Sequence, residues 1–471
     1  MEVNIGVQSD LSGRQGSLVS IPIQINDASG VEAIDLNIAY DQAIFDVPAS
    51  TVFEPGELNP EWSFVTNASV PGIVSLSSFG QAELGSEYGS IAVLNLQVKD
   101  YAEIGKSKID LVDVEINESQ IASAITDGEI LVEKPSFQVT NVESHSHGLS
   151  LQLNDTADMD VFRLYSGKNA GNQELSLDLT NSSNKVVNLS AHWQDDAKQL
   201  HLLSNQVLED GDYTLKIRAD GLVTQSGDLL DGNGDGEDGD DYIYSFTHST
   251  PDHFISIGDT ARSAGQDLSI NGKDLKDGIT GIPIHLSTTS SLQSVSGEIS
   301  FNSDLLKDVS LTKGSDLPSD WVVNYAQSSP GTLAFTISGQ SVAMGRIQDT
   351  LRLIGQVDAN ASDSYGSTSL IQATITDSSA GQISFKSDPG LMVNAYSGDT
   401  TGNGSHSSLD ASRVQRVVVG LDSGFDAFDD INPVLIGDTT GNGSLSSLDA
   451  SRIQQEVVGL PVDEFPSIPD I

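Results

Sequence analysis

Gly398–Leu421 reads GDTTGNGSHSSLDASRVQRVVVGL, and Gly437–Leu460 reads GDTTGNGSLSSLDASRIQQEVVGL. The two stretches lie 39 residues apart and agree at 20 of 24 positions. Each opens in a turn-forming, oxygen-rich loop and runs into a short segment with helical patterning. Val414, Val417, Val418 and Leu421 fall at i, i+3, i+4 and i+7, which predicts one apolar helix face. Gly420 and Gly459 are placed to stop the two helices, and Pro461 follows the second.

The loop spacing carries chemistry. With Asp399 as position one, Thr401 is three, Asn403 five, Gly404 six, Ser405 seven, Ser407 nine and Asp410 twelve. A twelve-residue EF-hand-type loop takes oxygen ligands at one, three, five, nine and twelve. It takes a backbone carbonyl at seven and a glycine at six for its sharp turn. Asp438, Thr440, Asn442, Gly443, Ser444, Ser446 and Asp449 fill the same places in the second copy. Hard oxygen donors of this kind suit calcium better than zinc or copper. The last acid is Asp where such loops usually carry Glu, and one helix follows each loop. The alternative is a pair of solvated turns that hold no metal.

Two tandem calcium loop–helix repeats resemble the dockerin family, over residues 396 to 462. The resemblance departs from the commoner form in having Thr at position three and Ser at nine. We expect two calcium ions, bound weakly, in the roughly 10⁻⁴–10⁻³ M range of extracellular modules. Two such short helices bury little surface, so calcium is expected to contribute to folding. The resemblance implies a protein partner contacted by loop positions ten and eleven and by the helices. Those positions are Ser408, Leu409 and Arg416 in the first repeat, and Ser447, Leu448 and Gln455 in the second.

Upstream, residues 1–134 alternate in short apolar runs such as LVSIPIQIN, AIDLNIAYD and SIAVLNLQV, separated by turns. This spacing predicts an all-β sandwich. IPIQIN at 21–26, the acidic turn at Asp41 and IFDV at 44–47 are similar to the opening of cohesin modules. That resemblance implies a jelly-roll sandwich whose flat face binds a dockerin. Residues 251–395 repeat the pattern. PGTLAFTISGQ at 330–340 parallels PGIVSLSSFGQ at 71–81, and Trp321 parallels Trp62, both at an offset of 259; the IPI motifs are offset by 261. The two Trp read as core residues rather than ligand platforms.

Between them, residues 135–250 carry VFRLY, VVNLSAHWQ, LHLLS, DYTLKIRA and YIYSFT, which predict strands of an immunoglobulin-like sandwich. VLEDGDYTLKI with YIYSFT resembles the Ig-like repeats of bacterial surface proteins. Its acidic loop DGNGDGEDGDD holds Asp231, Asn233 and Asp235 at alternate positions, but position twelve is Tyr242. Asp240 and Asp241, or Asp238, are near enough in sequence to close a shell, so a third calcium is the candidate reading. A solvated acidic hairpin is its alternative.

The fold class expected is therefore mainly β and multi-domain: jelly-roll and Ig-like sandwiches, then a small helical calcium-binding module at 396–471. The 471 residues carry 67 acidic and 22 basic side chains, a formal charge of −45. This argues against nucleic acid and anionic membranes as partners. There is no cysteine, and no run nears the roughly 18 apolar residues of a membrane span. The opening MEVNIGVQSD already alternates like a strand, and we expect a secreted protein whose leader Met1 replaces, or a piece of a longer chain. There is no HExxH, GxSxG or phosphate-binding glycine loop, so no enzyme is expected. His145 and His147 read as an exposed turn.

The leading expectation is an extracellular, calcium-dependent scaffold. Its C-terminal module would dock on a cohesin-like face of another copy, giving head-to-tail oligomers or filaments. The alternatives are an adaptor for other dockerin- or cohesin-bearing proteins, a clasp within one chain, and a carbohydrate-binding adhesin. An aromatic content of 6% with three Trp is thin for stacking on sugars.

Overall fold

A computed structural model describes residues 3–81, 83–168, 174–345, 349–361, 364–379, 381 and 383–469, so Met1 lies outside the described residues. The chain is mainly β and divides into two compact units. One holds residues 1–136 with 235–237; the other holds 137–234 with 238–471.

The first unit is a two-sheet sandwich. One sheet orders Ser123–Thr126, Val3–Val7, Leu18–Ile25, Gly89–Val98 and Phe45–Asp46, with Phe53–Pro55 also on Gly89–Val98. The other orders Leu11–Arg14, Gly128–Glu133, Gly105–Ile116, Ala33–Tyr40, Ile73–Phe79 and Ser63–Asn67. Both N-terminal strands run parallel to C-terminal ones. Period-two alternation does the sorting. Ile21, Ile23 and Ile25 point inward from one sheet, and Ile34, Leu36 and Ile38 from the other.

In the second unit, the middle module pairs a four-stranded sheet with a three-stranded one. The predicted strands over LHLLS, DYTLKIRA and YIYSFT are present as Gln199–Leu203, Gly211–Ile217 and Tyr242–His248. VFRLY is not a strand. Phe162, Leu164 and Tyr165 are buried, but the N–H groups of Leu164 and Tyr165 donate to the Asp429 carbonyl, each at 2.8 Å, instead of a β ladder.

The third module repeats the first in register. Ile21 pairs with Leu94 in the first sandwich, and Ile282 with Leu353 here. Two separate strands of the first module become one 19-residue strand, Ile282–Ser300. The indole equivalence also holds. Trp321 is buried, Trp62 is half-buried against the first core, and each lies flat on a glycine. A Cβ on Gly80 would stand 2.1 Å from Trp62 Nε1, and one on Gly339 2.3 Å from Trp321 Cδ1. Gly339→Ala is therefore expected to cost about 1–3 kcal/mol by overpacking. Gly80→Ala should cost less, because Trp62 has room to move outward. Denaturant midpoints check this, and a wild-type midpoint for Gly339→Ala would contradict it.

The three C-terminal modules share one body. Leu203, Leu391 and Val393 join Ala411, Val414, Phe425, Phe428, Ile431, Ile436, Ala450 and Ile453 in one cluster. The connector between the repeats docks on the middle module. Ala191 N–H donates to the Asp430 carbonyl at 2.8 Å, Asn432 N–H to Ser190 Oγ at 3.0 Å, and Arg163 pairs with Asp429 at 3.0 Å.

The histidine pair is not an exposed turn. It closes a hairpin, but the third module covers it: His145 bonds Ser150, and His147 is ion-paired with the buried Asp388. Burial opposes charge on His147. The hydrogen bond and charge of Asp388 outweigh it and raise the imidazole above its ordinary value of 6.5. A raised pKa gives stability that is full below that ordinary value and is lost as pH climbs through the folded one. Melting of wild type against His147→Gln should differ most near pH 6, with the gap closing at alkaline pH. A gap that is constant with pH would contradict this.

Candidate functional site

Two surfaces are candidates, one in each unit. The first is the C-terminal pair of loops. Asp399 Oδ1 accepts N–H bonds from Gly402 and Asn403 at 3.0 and 3.3 Å, and Oδ2 accepts from Gly404 at 2.7 Å. Gly404 and Gly443 have φ of 78° and 82°, the left-handed turn that position six requires. Asn403 Oδ1 accepts from the Ser405 amide and hydroxyl, and Asn442 Oδ1 from those of Ser444. Ser407 and Ser446 cap the helices Ser408–Val418 and Ser447–Val457, each in a capping box with Asp410 or Asp449.

These turns bring the acids together. Thr401 Oγ1 lies 3.2 Å from Asp399 Oδ1 and 2.9 Å from Asp410 Oδ1. Thr440 Oγ1 stands 3.1 Å from Asp438 Oδ1 and 2.9 Å from Asp449 Oδ1. A hydroxyl has one proton, so it satisfies only one of the two carboxylates it touches. Asp399, Asp410 and Asp449 are fully buried, Asp438 nearly so. Among the described residues no ion pair reaches any of the four. Burial and the facing Asp449 push the Asp438 carboxyl up. Two buried carboxylates around a shared hydroxyl, with no cationic side chain, fit a hard cation held by oxygen donors.

The helix face differs from its prediction. Val414 is buried with Ala411, and Val417 packs beside them, but Val418 and Leu421 are exposed. The helix ends at Val418 and Gly420 turns left-handed at φ 72°, which breaks the period before Leu421. An apolar set is left in solvent, twice over: Leu409, Val418, Val419 and Leu421, then Leu448, Val457, Val458 and Leu460. Ser408 and Ser447 are exposed beside them. Arg416 is held to Asp422 by two bonds of 2.6 Å, and Gln455 accepts from Arg452 at 3.0 Å. Both are half-buried. Sequence reading missed Val419, Val457, Val458 and Leu460. Their signal was apolar residues flanking a stop glycine, in and past the last helical turn.

The acidic loop of the middle module is partly knit. Buried Asp231 accepts from Gln138 Nε2 at 2.6 Å and from Gly234 N–H at 2.7 Å. Asn233 donates to Asp240 at 3.1 Å. Asp235 Oδ1 accepts from the Glu237 amide at 2.9 Å. Asp241 is engaged elsewhere, with Lys216 Nζ at 2.8 Å and the Ala219 amide at 3.1 Å, and these bonds lower its pKa.

The second surface is the outer face of the first sandwich. Ala33, Asp35, Asn37 and Ala39 stand opposite Phe79, Ser77, Ser75 and Ile73. Val65 faces Ser77 from the edge strand, and Asp113 and Glu115 face Asn37 and Asp35 from the other side. Ser75 donates to Asn37 Oδ1 at 2.7 Å. Phe79 is 51% exposed and Val65 62%, so the face is apolar at one side and, with Asp35, Asp113 and Glu115, acidic at the other. The third module's equivalent strand puts Thr332, Ala334, Thr336 and Ser338 opposite Ser300, Glu298, Ser296 and Ser294. Ile73 and Phe79 are thus replaced by Thr332 and Ser338.

With this geometry established, comparison with known proteins locates one module. Residues 1–132 match the cohesin domain family. Cellulose-binding protein A of Clostridium cellulovorans is 29% identical over 93 residues, which is 19% of this chain and 5% of that protein's length. The sixth cohesin of Acetivibrio cellulolyticus scaffoldin B, solved with a dockerin, is 21% identical. It covers 28% of this chain and 100% of its own, with a TM-score of 0.26. A non-cellulosomal cohesin of Archaeoglobus fulgidus is 18% identical over 28% of this chain and 92% of its own, with a TM-score of 0.25. No helix among the described residues is long and apolar enough to cross a membrane.

Proposed function

We propose that this chain is a non-catalytic, calcium-dependent assembly protein of the extracellular space. The outer face of its first sandwich receives the C-terminal module of another copy. The observation that carries this reading is the duplicated apolar set around Leu409 and Leu448. The module's other side is spent on its own chain, through the Phe425–Ile436 connector and the second loop, while this set stays in solvent. Eight large apolar side chains on so small a module mark an interaction surface. Calcium at the loops would orient both helix starts, because Asp410 and Asp449, at position twelve of each loop, also close the capping boxes of Ser407 and Ser446.

Of the two sandwiches, the first is the receptor. Its face offers Val65, Ile73 and Phe79 as anchors of the sort that dominate interface energy. The third module has small hydroxyls at the Ile73 and Phe79 positions. Receptor and ligand are different surfaces of one chain, so the contact is heterologous and propagates into rings or filaments. A specific contact of this kind buries roughly 1,200–2,000 Å² in total.

The test is capture of an untagged copy by an immobilised copy, in calcium and in chelator. Capture in calcium alone supports the reading. No capture in either condition would leave an adaptor for other dockerin- or cohesin-bearing proteins.

A further inference from the structure

The calcium loops do not stand alone; the third module reaches into both. Tyr365 Oη lies 2.6 Å from Asp399 Oδ2, at position one of the first loop. The same oxygen accepts the Tyr396 amide N–H at 2.9 Å, so the phenol's one proton is directed at the carboxylate.

The second loop has no tyrosine; it has Asn271. Its Nδ2 donates to the Asp438 carbonyl at 2.9 Å and to Ser397 Oγ at 2.5 Å. Its Oδ1 accepts from the buried Arg262 at 2.9 Å, which fixes the amide's orientation. Gly441 sits on this residue: a Cβ there would fall 2.0 Å from the Asn271 carbonyl oxygen, and its φ is 64°. The matching glycine of the first loop, Gly402, packs on Ala427 of the connector instead. Two donors with no freedom to turn away are thus aimed at the two loops from one sandwich.

We propose that Tyr365 and Asn271 are positioning residues for calcium, and that the third module serves as the outer shell of both loops. This rests on the calcium reading above. Outer-shell donors fix the orientation and charge of the groups that bind the metal, and their loss typically weakens binding about 10–100-fold. Coupling is reciprocal, so calcium tightens the packing of the C-terminal module on its neighbour as much as that packing tightens calcium.

The experiment is a calorimetric calcium titration of the full chain, with chelator competition, alongside melting in chelator. Tyr365→Phe keeps the ring and its packing and removes only the hydroxyl. It should weaken one of two binding steps about tenfold and leave the other at its wild-type value. Asn271→Ala should weaken the other step. Tyr365→Phe with both steps unchanged would overturn the proposal while leaving the calcium reading intact. A wild-type chain that binds no calcium would overturn both.

Discussion

Asp410→Ala combined with Asp449→Ala will unfold the two loop–helix repeats and abolish association. The Asp410 carboxylate accepts five bonds: the Thr401 amide and hydroxyl, each at 2.9 Å, the Ser407 amide and hydroxyl at 2.8 and 2.7 Å, and the Thr400 hydroxyl at 3.5 Å. Asp449 accepts the matching four from Thr440 and Ser446. Alanine leaves these donors without acceptors in a buried place, at about 1–3 kcal/mol for each buried group. It also breaks the capping box, because the N-cap residues Ser407 and Ser446 lose their partners at the third helical position. Any calcium bound in the native state is lost with its contribution to folding. The shared core means the damage spreads, since Val414 and Ile453 pack in one cluster with Leu391 and Val393. Melting should show the second unit destabilised while the first sandwich retains its own transition. Normal assembly of this variant in calcium would contradict the account.

The second large effect is expected at Phe79→Asp. The side chain is half in solvent, so the fold should tolerate the change. Buried at an interface, an aspartate would sit without a partner, on a face that already carries Asp35 and Glu115. Losing an aromatic anchor costs about 2–4 kcal/mol, or roughly 30- to 1,000-fold in affinity. Ser338→Asp, at the equivalent point of the third module, should leave association unchanged. Loss of association with Ser338→Asp but not with Phe79→Asp would move the receptor to the third module.

Local chemistry was legible in the sequence where it is periodic or duplicated. The loop spacing from Asp399 to Asp410 is local, and the hydrogen bonds within it span at most ten residues. The Trp62 and Trp321 offset survives as two indole–glycine contacts because both sandwiches keep the same register. What was not legible lies in non-local contacts. VFRLY alternates like a strand, yet its amides bond Asp429, more than 250 residues away. The C-terminal repeats read chiefly as a module that docks on another copy, with a clasp within one chain as an alternative; no local spacing announces that Tyr365 and Asn271 tie them to a sandwich of their own chain. The Val414–Leu421 face was misjudged because helical period was carried through Gly420. The histidine pair looked exposed because nothing near it in sequence announces Asp388.

Static light scattering against protein concentration, in calcium and then in chelator, tests assembly most directly. The account predicts mass that grows with concentration in calcium and returns to about 49.7 kDa on chelation. A monomer at every concentration in both conditions would contradict it.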